Sequence, residues 1–143
     1  MNDGQQRSEA SGSSVGTPIA EITALLVDYF DGLHFSDSAR LARVFHPAAQ
    51  YICATQGRLQ HLDMPSYFAI VDRRTSPASR GEPRADRILA IELVGSTAAS
   101  ARVECAIGER HFKDLLSLIH LDGRWQIIAK VFDYTLPEAT QRH

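Results

Sequence analysis

Two apolar runs joined by Asp122-Gly123 within residues 111–134, HFKDLLSLIHLDGRWQIIAKVFDY, constrain this chain more than any other feature. Asp-Gly between strand-forming residues predicts a two-stranded hairpin, because both turn positions ask for a positive φ that Gly takes freely and Asp tolerates. The arms carry two charges in otherwise apolar surroundings, Asp114 and Lys130. A lone charge in an apolar wall is costly, so the two are expected to meet each other or to face a solvated hollow. Two registers are open. A three-residue bulged turn sets Asp114 directly opposite Lys130. A plain two-residue type I′ turn slips the register by one, sets Leu115 against Lys130 and turns Asp114 to the other face.

Upstream, Thr17-Pro18 predicts a helix start, with a hydroxyl cap and a proline in the first turn, and Ile19, Ile22, Leu25, Leu26, Tyr29, Phe30 and Leu33 then recur at helical spacing. A short second helix follows from about Ser36–Ser38 and stops before Pro47. Residues 50–54 and 58–62 flank Thr55-Gln56-Gly57 as a small hairpin, and Asp63 caps a third helix with Pro65 in its first turn. Residues 75–84 hold prolines, a glycine and serines and read as a loop; residues 87–94 and 97–107 add two strands ahead of the long hairpin, giving a four-strand antiparallel meander. Helices then strands in this order predict an α+β domain with the helices covering one sheet face. The chain has 143 residues, 44% of them hydrophobic, enough for one core and one domain. That domain is placed at residues 18–136, between a polar, Gly- and Ser-rich tail at 1–17 expected to be disordered and a C-terminal tail at 137–143. Both faces of the last strand are apolar, which predicts a homodimer through the outer sheet face.

The formal charge of −2 gives no pull toward nucleic acid, and no apolar run reaches membrane-spanning length. Cys53 and Cys105, without paired spacing, read as buried thiols, and the polar N-terminus lacks a signal-peptide core; a cytoplasmic protein is expected. Of six histidines, no two share the i, i+4 spacing of helical metal ligands, so neither a metal nor another cofactor is expected. His46 reads as a cap on the end of the second helix, His61 as a residue at the mouth of a cavity, and His143 as inert. Arg73, Arg74, Arg80, Arg84 and Arg87 form a local positive patch that could draw an anionic substrate. Without a glycine loop or interleaved stacking groups it reads as a solvated loop, partly neutralised by Glu82 and Asp86. Nucleophile-elbow, dinucleotide and phosphate-loop motifs do not occur.

The order helix, helix, small hairpin, helix, four strands over residues 19–134 resembles the nuclear transport factor 2-like superfamily. That superfamily has a cystatin-like, cone-shaped fold shared with ketosteroid isomerases and polyketide cyclases. The phrases YFDGLHFSDSARLARVFHPAAQY, SPASRGEPRADRILAIELVGSTA and DLLSLIHLDGRWQIIAKVF look most like its "putative lumazine-binding" branch. The resemblance implies three helices on a strongly curved mixed, mostly antiparallel sheet, with a small-molecule pocket between the concave sheet face and the helices. Running the isomerase pattern along the first helix places its oxyanion-stabilising tyrosine at Tyr29 and its catalytic aspartate at Cys53, where a thiol cannot copy a carboxylate base without a large pKa perturbation. The pocket-closing aromatic falls at Phe132, with Lys130 and Ile128 on the same inward face. Tyr51, Tyr67 and Phe68 add aromatic area suited to a flat, partly apolar ligand.

Three functions follow from this reading. The first is a small-molecule binder with a pocket lined by Tyr29, Cys53, His61, Tyr67, Phe68, Asp114, Ile128, Lys130 and Phe132. The second is an isomerase, dehydratase or cyclase in which Asp114 shuttles a proton while Tyr29 and Lys130 steady negative charge. The third is a protein-interaction module with a filled cavity.

Overall fold

The computed structural model describes residues 16–137. The tails expected at the two ends, and His143 with them, lie largely or wholly outside the described residues. Helix α1 (Pro18–His34) starts at Thr17, whose Oγ1 accepts from the Ala20 amide at 3.1 Å, and α2 (Ser38–Val44) starts at Asp37, whose carboxylate accepts from Arg40 N. Each cap satisfies an amide that the first helical turn leaves without a partner. Strands β1 (Phe45–Cys53) and β2 (Gln60–Asp63) form the small hairpin, and Asp63 caps α3 (Met64–Arg73) through Ser66 N at 2.9 Å. Strands β3 (Arg87–Leu93), β4 (Ala98–Ile107), β5 (Arg110–Leu121) and β6 (Arg124–Thr135) complete the domain, with one 3₁₀ turn at Ala78–Arg80 in the connecting loop.

All six strands make one open sheet in the order β2-β1-β6-β5-β4-β3. The parallel β1–β6 pairing joins the small hairpin to the meander and makes the sheet mixed; the other ladders are antiparallel. The second helix ends earlier than Pro47 would require. Phe45 already begins β1, and Pro47 sits where β1 advances from Phe45 to Gln50 while β6 advances only from Ile127 to Ala129. The ladder is interrupted there, so a residue without an amide hydrogen is tolerated. His46 accordingly does not cap α2: its Nδ1 accepts from the Ala48 amide at 2.9 Å.

The long hairpin follows neither expected register. Its turn is a two-residue one with φ +54° at Asp122 and +82° at Gly123, and Leu121 pairs with Arg124. A β-bulge then intervenes, because Leu118 pairs with Ile127 but Ser117 with Ala129, leaving Ile128 as the extra residue. Beyond it Lys130 lies opposite Leu116, and Asp114 opposite Phe132. One extra residue inverts the side-chain alternation of a strand. The bulge thus returns Lys130 and Phe132 to the face that carries Trp125 and Ile127 near the turn, and that face is shared with Phe112, Asp114, Leu116 and Leu118 of β5.

This concave face meets the helices. Ile22, Leu26, Tyr29, Leu41, Phe45, Tyr67 and Val71 pack against Val103, Leu116, Leu118 and Ile127 in one continuous core. At Gly32 the two first helices approach so closely that a Cβ would lie 2.6 Å from Leu41 Cδ2.

Candidate functional site

Four polar side chains converge in this core from four elements. Tyr29 (α1) donates its phenolic hydrogen to Asp114 Oδ2 (β5) at 2.5 Å, and Lys130 Nζ (β6) donates to Tyr67 Oη (α3) at 3.2 Å. Asp114 is 3% exposed and Lys130 5%. The two charges share the concave face diagonally and make no direct ion pair; each is held by a tyrosine from the helix layer. Asp114 Oδ1 is buried without any hydrogen-bond partner. The ammonium lies 5.0–5.6 Å from the ring centroids of Tyr29, Tyr51, Tyr67 and Phe132, close enough for cation–π attraction to each.

Electrostatics follow from burial. Desolvation alone disfavours the Lys130 cation, but Tyr67, Asp114 and Tyr51 outweigh it and raise its pKa above the ordinary lysine value. Desolvation, reinforced by Asp114, holds the Tyr29 phenol well above its usual range, and it stays a proton donor. Tyr51 is raised by burial against the opposing pull of Lys130. Burial also pushes the Cys105 thiol up to about 12, with Asp114 adding to the effect. The cluster therefore holds a cation with hydrogens to spare beyond Tyr67 and a carboxylate with one oxygen unsatisfied, while the only hydroxyl hydrogen of Tyr29 is committed to Asp114.

The residues expected from sequence divide into two groups. Tyr29, Tyr67, Asp114, Lys130 and Phe132 come together, and Phe68 flanks them against Phe45 and Tyr67. Cys53 is buried at the end of β1, with Sγ 3.1 Å from Thr55 Oγ1. His61 is exposed on β2 and pairs with Gln50 at 2.9 Å; Ile128 is half-buried at the bulge. Cavities open where β1 and β6 end and β5 begins. One of about 350 Å³ is bounded by Cys53, Thr55, Gln56, Arg58, Arg110 and Tyr134, so Cys53 alone of the expected residues lines it.

Sequence reasoning passed over Phe112, which stacks between Phe132 and Tyr134, although strand alternation puts it on the face of Asp114. Arg74 it counted only as one member of the arginine patch. The arginine patch is resolved into separate contacts: Arg84 pairs with Asp31 and Asp86, Arg87 with Glu104, and Arg80 with Glu82. Arg74 instead has its Nε and Nη2 buried without a partner. Nothing local in the sequence distinguishes it from Arg73. Among the described residues no group of three or more His, Cys, Asp or Glu could hold a metal ion, and no helix is long and apolar enough to cross a membrane.

Solved structures share this architecture. An NTF2-like protein of unknown function from Shewanella baltica superimposes with a TM-score of 0.74 at 25% identity, over 85% of this chain and 98% of that one. An NTF-2 like protein of unknown function from Silicibacter pomeroyi gives 0.70 at 22% identity, over 89% and 100%. A ketosteroid isomerase-like protein from Erwinia carotovora atroseptica gives 0.67 at 13% identity, over 86% and 100%. Helices laid on an open curved sheet, with a polar cluster in the hollow, thus define a nuclear transport factor 2-like protein of cystatin-like fold. Within that class, residues 17–133 match the family described as "Putative lumazine-binding", and the chain belongs to it. No curated protein matches the chain.

Proposed function

We propose that the chain binds a flat, partly apolar small molecule that enters the cone from its wide end and is read by the Tyr29–Asp114 and Tyr67–Lys130 pairs. One observation carries this reading. A buried carboxylate oxygen without a partner, on the same face as an ammonium with donors to spare beyond Tyr67, costs free energy unless a ligand completes the set. The aromatic rings around Lys130 supply stacking surface, and the family's name points to lumazine, a planar dione whose edge alternates N–H and C=O groups. Calorimetric titration with lumazine, alongside mass spectrometry of small molecules that co-purify, tests it. Lys130→Met keeps chain length and removes the charge, and is expected to weaken binding at least about tenfold in a folded protein. Unchanged affinity in the folded variant refutes the reading.

A second reading is favoured by the Tyr29 hydroxyl aimed at Asp114: an isomerase, dehydratase or cyclase in which Asp114 moves the proton and Tyr29 with Lys130 steadies the charge that develops. Undiminished turnover in Asp114→Asn rules it out. Two further features belong to the same proposal. The protein pairs with a second copy through the outer sheet face, where Leu89, Leu115 and Val131 stand 40–46% exposed around a hollow of about 390 Å³. It works in the cytoplasm, a reading supported by two cysteines that remain unbonded. Light scattering that finds a monomer removes the first of these.

A further inference from the structure

Beyond Phe112, where β4 ends and β5 begins, lies a cavity of about 340 Å³ with three arginines among its lining residues, Arg74, Arg80 and Arg110. Arg110 also stacks over Tyr134, with its guanidinium carbon 4.6 Å from the ring centroid, and Arg80 is partly engaged by Glu82 at 3.4 Å. Arg74 is the unusual member. It caps the C-terminal end of α3, and its Nε and Nη2 are buried with no acceptor. Buried guanidinium hydrogens without partners are rare, since each forfeits a charge-assisted hydrogen bond that water would have provided. Glu109 also lines the cavity, so three guanidiniums against Glu109 and Glu82 leave one net positive charge. That balance suits a monoanion, and the planar fork of arginine suits a carboxylate.

We propose that this cavity binds the carboxylate of a flat aromatic acid, held by Arg74 with Arg80 and Arg110, its ring resting on Phe112 and its far edge directed toward Lys130. The proposal rests on the small-molecule reading above and names its ligand class. Continuity between the two ends is physical: Phe112 stacks on Phe132, which packs over the Lys130 ammonium, and Arg74 and Lys130 act on the same two interior groups, Tyr51 and Cys105. Arg73, the neighbour of Arg74, is exposed and takes no part.

The test compares lumazine, its 6-carboxylate, benzoate and inorganic phosphate by calorimetry on the full chain, with the Arg74 Nε–H resonance followed by NMR. The 6-carboxylate is expected to bind at least about tenfold more tightly than lumazine, and Arg74→Gln to abolish that gain while leaving lumazine affinity unchanged. If Arg74→Gln fails to fold, Arg74→Lys is read instead; it keeps the charge, loses the fork, and is expected to lose part of the gain. No carboxylate preference, or one that survives the Arg74 variant, overturns the proposal while lumazine binding lost in Lys130→Met still supports the interior reading. Saturable benzoate shifts at Arg74 without pteridine binding support the anion site and reject that reading. Phosphate competing as well as benzoate overturns the carboxylate assignment, and no response from any probe overturns both.

Discussion

Replacing Tyr29 by Phe removes one atom group and isolates one interaction. The ring stays, and with it the contacts to Phe30 and Phe45 at centroid separations of 5.7 and 6.0 Å, so little cavity is created. What is lost is the 2.5 Å bond to Asp114 Oδ2, and because Oδ1 already has no partner, the carboxylate is left with neither oxygen satisfied in a side chain only 3% exposed. A hydrogen bond to a charged group contributes about 1.5–3 kcal/mol, so a loss near 2 kcal/mol is expected. For a domain of this size that corresponds to a fall in Tm of about 6–8 °C. Urea unfolding followed by the fluorescence of Trp125, the single tryptophan and a buried one, measures the change, with a constant slope against denaturant showing that the folded state is intact. Combining Tyr29→Phe with Asp114→Leu closes a double-mutant cycle, and a coupling of about 2 kcal/mol is expected. A single-variant cost below about 0.5 kcal/mol, or strictly additive behaviour, refutes the view that this pair is a bonded unit.

Alkaline pH should destabilise the protein. The folded pKa of Cys105 is raised by burial to about 12, so the folded state holds a proton that the unfolded state releases above its ordinary value of 9.0; stability is full below that pH and declines as pH rises toward 12. Between pH 9 and 10 Cys105 alone is expected to remove about 1 kcal/mol, with Tyr29, Tyr51 and Lys130 beginning to add in the same direction, and Cys105→Ala should lower the slope by about that amount; an equal slope in the variant disproves the assignment. Gly32→Ala should cost about 1–3 kcal/mol despite alanine's better helix propensity, because its Cβ would meet fully buried Leu41, and thermal melts with no loss would contradict the close α1–α2 approach. Gly123→Ala, at φ +82° with open space around it, should cost about 1–2 kcal/mol through backbone strain alone, and a neutral result in chemical denaturation would exclude the two-residue turn.

Much of the fold was legible along the chain because its signals are local. The caps at Thr17 and Asp63, the helical faces, and the Asp122-Gly123 turn each depend on side chains a few residues apart and on backbone angles those side chains favour or forbid. The order of these elements pointed to the superfamily, and three stretches of sequence to the family within it. Along β5, alternation also told which residues share a face, and Asp114 was rightly singled out as a charge among apolar neighbours.

Other features were settled only when distant segments packed. The turn alone would have turned Asp114 and Lys130 to opposite faces; the bulge at Ile128 restores their common face, and nothing in its immediate sequence announces it. The β1–β6 pairing links strands far apart in the chain, and it brings Tyr51 alongside Lys130 as one wall of the aromatic enclosure. Arg73 and Arg74 are chemically identical neighbours, yet one is solvated and the other half-buried with two guanidinium nitrogens out of reach of water, because the end of α3 is fixed by its contacts with the sheet rather than by its own residues. Capping and periodicity act over a turn or a strand, whereas register and inward orientation are chosen by which arrangement buries the whole apolar surface, and that choice belongs to the folded chain as one object.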